Sequence, residues 1–106
     1  MNVNLNEENL DLLFEAITTL ETVEDCRKFF EDLCTVPELK AMSQRLTVAK
    51  LLSENIVYSK IVAQTGASTA TISRVNRSLN YNSCDGYALV FERMKKKNGD
   101  SQEEQA

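Results

Sequence analysis

The spacing of the apolar residues is the feature that most constrains this fold. Apolar residues recur at intervals of three and four, which places them along one stripe of successive helices. The first such stripe consists of Leu10, Leu13, Phe14, Ile17 and Leu20. Alternation at intervals of two, which indicates a half-buried strand, is missing apart from a short β-prone exception at residues 56–58. The pattern therefore predicts an all-α fold.

Capping residues and a proline divide the first half of the chain into three helices. Asn6 and Thr22 are suited to cap the first and second helices. Pro37 is the only proline and suits the first turn of a third helix, which we expect to run to about Ser53. Cys26 falls on the apolar stripe of the second helix, so we expect it in the core as a small hydrophobic residue.

The third helix is apolar over an arc wider than one packing partner requires. Its apolar residues cover two adjoining faces, formed by Leu39, Met42, Leu46 and Ala49 and by Val48, Leu51 and Leu52. A helix that is apolar over so much of its circumference is usually buried from several sides. In a chain this small, the pattern predicts a homodimer.

The segment from about residue 59 to 79 has the pattern of a helix-turn-helix. Ser59 is suited to cap a short helix that Gly66 ends in the left-handed conformation, and Ser68 then starts the next helix. Inward-facing apolar residues are expected to fix the crossing of the two helices: Ile61, Val62, Ile72 and Val75. Two short helices joined by a tight glycine turn are typical of this motif. An ordinary helical hairpin with a solvated Ser/Thr face has the same pattern and stays open as an alternative.

The residues that begin the second helix of this pair are suited to contact DNA. Small side chains at Thr69 and Ala70 let a helix approach base edges closely, and Thr69 and Ser73 can donate hydrogen bonds to bases or phosphates. The backbone N–H groups around Ser68 and Thr69 are suited to a phosphate at a helix N-terminus. A methyl group at Ala70 or Thr69 can contact the methyl of thymine.

Charge is distributed unevenly along the chain. The formal net charge is -4, but residues 1–38 hold ten acidic and two basic residues. Between Asn55 and Cys84 the only charged residues are Lys60, Arg74 and Arg77. A polyanion would be repelled by the first segment and attracted by the second. The asymmetry therefore indicates a binding surface in the second segment.

The composition argues against several classes of protein. Without histidine, the chain lacks the commonest general base and metal ligand, and its three cysteines form no Cys-x-x-Cys pair. We therefore expect no catalytic residue, no metal site, no cofactor and no enzymatic activity. No segment approaches the length of a spanning helix or has the pattern of a signal peptide, so we expect no membrane partner and a cytoplasmic location.

The length of 106 residues predicts one domain over residues 1–97. After a polar stretch at 80–83, a last helix carries Tyr87, Val90, Phe91 and Met94 on one face. The lysines at 95–97 are expected to close this helix by complementing its negative end, although a DNA-binding patch is conceivable. Residues 98–106 lack apolar anchors, so we expect a disordered tail.

Two stretches of this sequence resemble a known family. Residues 66–74, Gly-Ala-Ser-Thr-Ala-Thr-Ile-Ser-Arg, and residues 76–79 are similar to the DNA-reading segment of the Trp repressor superfamily, in a small uncharacterised branch. The similarity extends upstream to residues 36–39 and to the Gln44-Arg45 step. It implies a six-helix subunit in an interlocked homodimer that reads successive major grooves. It also implies that Thr69, Ala70 and Ser73 face bases, and we add Lys60 and Arg77 as phosphate contacts.

The resemblance also identifies positions for an effector. In the family two arginines flank a bound indole, and Arg45 and Arg74 match them, while the glycine that follows the second arginine is Val75 here. A β-branched side chain would fill part of the indole volume, so we expect that tryptophan is not the effector. The arginines could instead pair with acids across the dimer, form a remodelled pocket for another small anion, or, for Arg74, contact a phosphate.

These observations predict a sequence-specific, double-stranded DNA-binding transcriptional regulator that acts as a dimeric repressor. At Val62 the family's repressor has a basic phosphate-contacting residue, so the sequence predicts a lower affinity for DNA. The alternative is a homodimeric interaction module that keeps the fold and binds a basic protein partner through its acidic N-terminal segment. A DNA-binding protein must lose affinity steeply with added salt, which separates the two.

Overall fold

The structure is a computed structural model that describes residues 6–81 and 84–105. From residue 100 onward it describes the backbone alone. Within these ranges the chain forms six helices and no strand, which confirms the all-α prediction. The helices, α1 to α6, are Glu7–Ile17, Val23–Leu33, Val36–Ser53, Tyr58–Thr65, Thr69–Asn80 and Gly86–Gln105. No described helix combines the length and apolar character needed to cross a membrane.

The predicted caps of α1 and α2 are confirmed. The Asn6 side chain accepts hydrogen bonds from the N–H groups of Glu8, at 2.9 Å, and Asn9, at 3.2 Å. The Thr22 hydroxyl accepts a hydrogen bond from the N–H of Asp25 at 3.0 Å. Each bond satisfies a donor that the first turn of a helix otherwise leaves unpaired.

The prediction that Cys26 lies in the core is wrong for the single chain, because Cys26 is exposed. Neither α1 nor α2 contains a buried residue, and Leu12, Phe14 and Val23 are 52% to 75% exposed. Apolar periodicity identifies the face that a helix can bury. It does not supply the surface that covers this face, and the single chain covers it only in part, since Leu13, Ile17 and Phe30 are half-buried.

The chain divides into two compact units, Met1–Leu39 and Lys40–Ala106, at the start of α3. Among the residues whose side chains are described, all the buried ones lie in the second unit. They form one cluster of Val48, Ala49, Ile61, Ala67, Ile72 and Val75. This core therefore consists of side chains from α3, α4, α5 and the α4–α5 turn. The prediction of a single domain over residues 1–97 stays a prediction.

Helix α3 begins with a reciprocal pair of hydrogen bonds that the sequence analysis missed. The N–H of Thr35 donates to the Glu38 carboxylate at 2.8 Å, and the N–H of Glu38 donates to the Thr35 hydroxyl at 3.3 Å. This is the capping box that Thr-x-x-Glu forms at a helix start. The backbone N–H of Thr35 and, to a smaller extent, the Thr35 side chain hydrogen-bond the Glu38 carboxylate and lower its pKa. The first turn also contains Pro37, as predicted.

The apolar arc of α3 is only partly covered in the single chain. Val48 and Ala49 are buried, and Leu51 and Leu52 pack against the core of the second unit. Met42 and Leu46 remain 36% and 42% exposed. Helix α3 is thus buried on one side and open along part of its length.

Helix α6 continues beyond the point where the sequence analysis ends it. The rings of Tyr87 and Phe91 stack with centroids 5.9 Å apart and pack against the core, whereas Val90 and Met94 are each 44% exposed. The helix runs through residues 98–105, which the sequence analysis assigns to a disordered tail, and residue 106 lies outside the described residues. Glutamate and glutamine are good helix formers, so backbone hydrogen bonding continues where apolar anchors stop.

The longer α6 also changes the interpretation of the lysines at 95–97. These residues lie in the middle of the helix rather than in its last turn, so the prediction that they close it is wrong. Lys96 instead forms an ion pair with Glu92, 3.7 Å away and one turn earlier. This pair is exposed, and pairs of this kind contribute little to stability.

Candidate nucleic-acid interface

The turn between α4 and α5 has the geometry that the sequence predicts. Gly66 adopts φ 70° and ψ 6°, which is the left-handed conformation, and its N–H donates to the carbonyl of Val62 at 2.9 Å. This bond closes the last turn of α4 and reverses the chain within three residues, 66–68. Glycine adopts this conformation without the steric penalty of a side chain.

A hydrogen-bond network that the sequence analysis missed fixes this turn from both sides. The Thr65 hydroxyl donates to the carbonyl of Ile61 at 2.7 Å and accepts from the N–H of Ala67 at 3.1 Å. The Gln44 side chain on α3 donates to the Thr65 carbonyl at 3.1 Å. The first two bonds hold the local conformation, and the third connects the end of α4 to α3. The only signal in the sequence is that Gln44 lies in the segment that resembles the family.

The apolar contacts between the two helices confirm three of the four predicted residues. Ile61 and Ile72 are fully buried, and Val75 is 3% exposed. Val62 is 37% exposed, so it does not belong to the core. Val62 follows Ile61 directly, and neighbouring residues of a helix point in directions about 100° apart. When Ile61 points into the core, Val62 therefore points away from it.

The start of each helix can be compared with its predicted cap. The Ser68 hydroxyl accepts from the N–H of Thr71 at 3.1 Å, which confirms Ser68 as the N-cap of α5. Helix α4 begins at Tyr58 after Val57, without a side-chain cap. The prediction that Ser59 caps this helix is therefore wrong, because Ser59 already lies in its first turn.

The outward face of α5 carries the predicted DNA-binding side chains. The exposed residues among them are Thr69, Ala70, Ser73, Arg74 and Arg77. Lys60 is also exposed, in the first turn of α4. Ion pairs between described side chains include Arg27–Glu24, Lys50–Glu54 and Lys96–Glu92. Among the described residues, Lys60, Arg74 and Arg77 have no acidic partner in such a pair. Their charges are available to an external anion.

The three residues of the predicted effector pocket differ in their surroundings. Val75 lies in the core with Ile61 and Ile72, whereas Arg45 and Arg74 are exposed and have no ion-pair partner among the described residues. Two grooves of the second unit, of about 370 and 320 Å³, include none of these three residues. The pocket therefore stays a prediction.

The two grooves differ in chemistry. The groove of about 370 Å³ is polar and is lined by Lys40, Ser43, Gln44, Thr47, Gln64 and Thr65. The groove of about 320 Å³ lies between α3 and α6 and is mainly apolar, with Leu46, Leu51, Phe91 and Met94 among its lining residues. The apolar groove includes Leu46, one of the α3 residues that the single chain leaves partly exposed.

Comparisons with known proteins agree on one family. The model of the family described as Trp repressor protein matches residues 8–95. The chain is 50% identical over 91 residues to the uncharacterized protein YerC of Bacillus subtilis (strain 168), a match that covers 86% of each chain.

Two solved structures are similar as well. A Staphylococcus aureus protein described as a candidate Trp repressor gives a TM-score of 0.79 at 51% identity, covering 83% of this chain and 87% of that chain. A TrpR like protein from Eubacterium eligens ATCC 27750 gives a TM-score of 0.79 at 52% identity, covering 83% and 90%.

Proposed function

This chain belongs to the Trp repressor family, and on that premise we propose that it is a transcriptional repressor that binds a specific DNA sequence as a homodimer through α4 and α5. The family suggests a helix-turn-helix DNA-binding regulator. Repression, the dimer and the choice of sequence are the parts that we add. We expect repression to act by occlusion of the bound DNA site.

The observation that carries the proposal is the outward face of α5. Its exposed residues are small, polar or basic, and the cations on α4 and α5 have no acidic partner among the described residues. The turn that presents this face is held by Gly66, by the Thr65 hydroxyl and by the bond from Gln44. A rigid pair of helices with a small-residue face can enter a major groove, whose width admits one helix.

We assign roles to the individual residues on the same basis. Thr69, Ala70 and Ser73 lie near the N-terminus of α5, which is the part of a recognition helix that contacts base edges. Lys60 and Arg77 are assigned to phosphates, together with the N–H groups at Ser68 and Thr69. Arg74 is exposed beside them and is assigned either to a phosphate or to an effector.

The proposed homodimer accounts for the apolar residues that the single chain leaves exposed. These residues lie on α1, α2 and α3 and include Leu12, Phe14, Val23, Leu33 and Leu46. The apolar groove between α3 and α6 is a further uncovered surface. Exposed large apolar side chains in such number are characteristic of subunit interfaces. We expect sedimentation to return the mass of a dimer, and a monomer mass would contradict this part of the proposal.

We further propose that tryptophan is not the effector. Val75 is 3% exposed and packs in the same core cluster as Ile61 and Ile72. A ligand that needs the volume of Val75 would have to displace a core side chain, and protein cores are packed too densely to hold both. We therefore expect added tryptophan to leave DNA affinity unchanged in a titration at constant salt.

The proposal is tested by selecting random duplex DNA with the purified full chain, without ligand and at two salt concentrations. We expect enrichment of a two-fold symmetric site whose half-sites are about one helical turn apart. The variant Ala70→Glu, which introduces a negative charge on the groove face, should abolish the enrichment while the dimer persists. Enrichment that survives this substitution would contradict the placement of α5.

A second candidate is an interaction module that keeps the fold and does not bind DNA. The acidic segment favours it, because residues 1–38 carry a net charge of -8 and end in an exposed apolar face at Leu33 and Val36. An intact dimer that enriches no sequence at either salt concentration would favour this candidate over the regulator. Binding to a basic protein partner that requires the acidic segment would be its positive signature.

A further inference from the structure

The side chains that α5 presents at its N-terminus are all short. Its first five residues are Thr69 to Ser73, of which Thr69, Ala70 and Ser73 are exposed. Neither these five residues nor the cap Ser68 is Arg, Lys, Asn or Gln. The part of the helix that leads into a groove therefore lacks the long side chains that form paired hydrogen bonds with guanine or adenine.

Intrahelical hydrogen bonds remove further groups from the set available to a base. The Ser68 hydroxyl donates to the Thr71 hydroxyl at 3.1 Å. The Asn80 amide donates to the Asn76 side chain at 2.7 Å and to the Asn76 carbonyl at 3.1 Å. These bonds engage the Asn80 amide nitrogen and the Asn76 side-chain oxygen, and both asparagines lie in the C-terminal half of α5. At its N-terminus, the methyl groups of Ala70 and Thr69 and the hydroxyls of Thr69 and Ser73 remain.

A methyl group and single hydroxyls discriminate bases differently from an amide or a guanidinium. In the major groove thymine alone carries a methyl group, at C5, and an apolar side chain contacts it favourably. A hydroxyl can donate or accept, so a single hydroxyl bond restricts the base less than a bidentate pair. The N-terminus of α5 is thus matched in chemistry to thymine.

Resting on the proposed function, we infer that α5 selects its site chiefly by contact between the Ala70 methyl and the C5 methyl of thymine, with no bidentate contact to guanine. The half-site then contains a thymine at the position that faces Ala70. The competing hypothesis is that Arg74, the next exposed residue of α5, selects the site, because its guanidinium could bind guanine O6 and N7. The first hypothesis requires the C5 methyl of thymine, and the second requires O6 and N7 of guanine.

Modified bases test this difference on the selected duplex. Replacing each thymine singly by uracil removes only its methyl group, and replacing each guanine by 7-deazaguanine removes only the N7 acceptor. We expect the Kd to rise about four-fold at the thymine that faces Ala70, and about sixteen-fold when both half-sites carry uracil there. The 7-deazaguanine duplexes should change the Kd less than about two-fold, since each lost bidentate contact would cost far more.

The variant Ala70→Gly locates the contact. In this variant the uracil duplex and the thymine duplex should bind equally, because the protein no longer supplies the partner methyl. Glycine also weakens the helix, so Ser78→Gly serves as the matched control: Ser78 is exposed on α5 and has no assigned role in binding. The control should keep the four-fold effect of uracil.

The outcomes separate this inference from the function on which it rests. Selection without any enriched sequence overturns both. If a site is enriched but uracil leaves the Kd unchanged, or 7-deazaguanine raises it, the proposed contact with thymine is overturned. Specific DNA binding then stands. An equal uracil effect in Ala70→Gly and in the unmodified chain overturns the assignment to Ala70.

Discussion

Replacing Arg77 by alanine tests where α5 meets the DNA backbone. Arg77 is exposed in the last turn of α5 and forms no ion pair with a described residue. Its carbonyl accepts the N–H of Tyr81 at 2.8 Å, and this backbone bond does not depend on the side chain. Alanine is also the best helix former. The substitution therefore removes a charge and leaves no protein group unpaired.

The expected magnitude follows from counterion release. Each phosphate that a protein neutralises on duplex DNA contributes about -0.9 to the slope of log K against log salt. A dimer contains two copies of Arg77, so Arg77→Ala should make the slope shallower by about 1.8. Between about 50 and 200 mM salt, the unmodified protein should lose about twelve-fold more affinity than the variant.

The assay is fluorescence anisotropy of a labelled duplex at four salt concentrations. Arg93→Ala is the matched control, because Arg93 is exposed on α6 and likewise has no ion-pair partner among the described residues. It removes the same charge and should change the slope much less. An unchanged slope for Arg77→Ala, or an equal change for both variants, would refute the placement of Arg77 on a phosphate.

Three further predictions concern the turn and the start of α3. Gly66→Ala should lower the free energy of unfolding by about 1–2 kcal/mol in a urea titration, because φ is +70° while no heavy atom lies within 4 Å of the added Cβ. Gln44→Met should cost about 1 kcal/mol in the same assay and speed hydrogen exchange in the α4–α5 turn, since the Thr65 carbonyl loses its side-chain donor. Glu38→Ala should destabilise the protein more at about pH 7 than at an acidic pH, because the lowered pKa means that ionised Glu38 stabilises the fold above the ordinary glutamate pKa. This contribution is lost as the pH falls through the lower pKa of the folded state. Equal destabilisation at both pH values would contradict the last prediction.

Features that depend on a few neighbouring residues could be predicted from the sequence. Asn6, Thr22 and Ser68 cap their helices as expected, and Gly66 adopts the left-handed conformation. Each of these depends on one side chain and on backbone groups within three or four positions. The inward direction of Ile72 and Val75 follows equally well, because helical periodicity alone fixes which residues share a face.

Features that depend on distant residues could not be predicted. The bond from Gln44 to Thr65 spans 21 positions, and no local pattern indicates it. The exposure of Cys26 has a related cause, since periodicity marks the apolar face of α2 without saying what covers it. The predicted cap of α4, Ser59, lies two residues after the observed one, because the helix begins after Val57 without a capping side chain.

In the candidate site, too, features that depend on neighbouring residues could be predicted and features that depend on other groups could not. The exposure of Thr69, Ala70 and Ser73 follows from periodicity, whereas their contact with bases requires a second molecule. The same applies to Lys60, which has a defined position on α4, whereas its proposed contact with a DNA phosphate requires a second molecule. The exposure of the proposed recognition residues can thus be predicted from the sequence, and their role in binding has to be tested by selection and titration.

The burial of Val75 bears on whether an effector is needed for DNA binding. Val75 joins Ile61 and Ile72 in the core that holds α5 against α4, and it is adjacent in sequence to Arg74. If a bound ligand fixed the orientation of two such helices, the ligand-free protein would need a cavity between them for that ligand. Here protein side chains already fill the core at this position, and the Gln44 bond fixes the turn independently. The orientation of α5 is therefore set by the chain itself, and this is why we expect specific DNA binding without any added ligand.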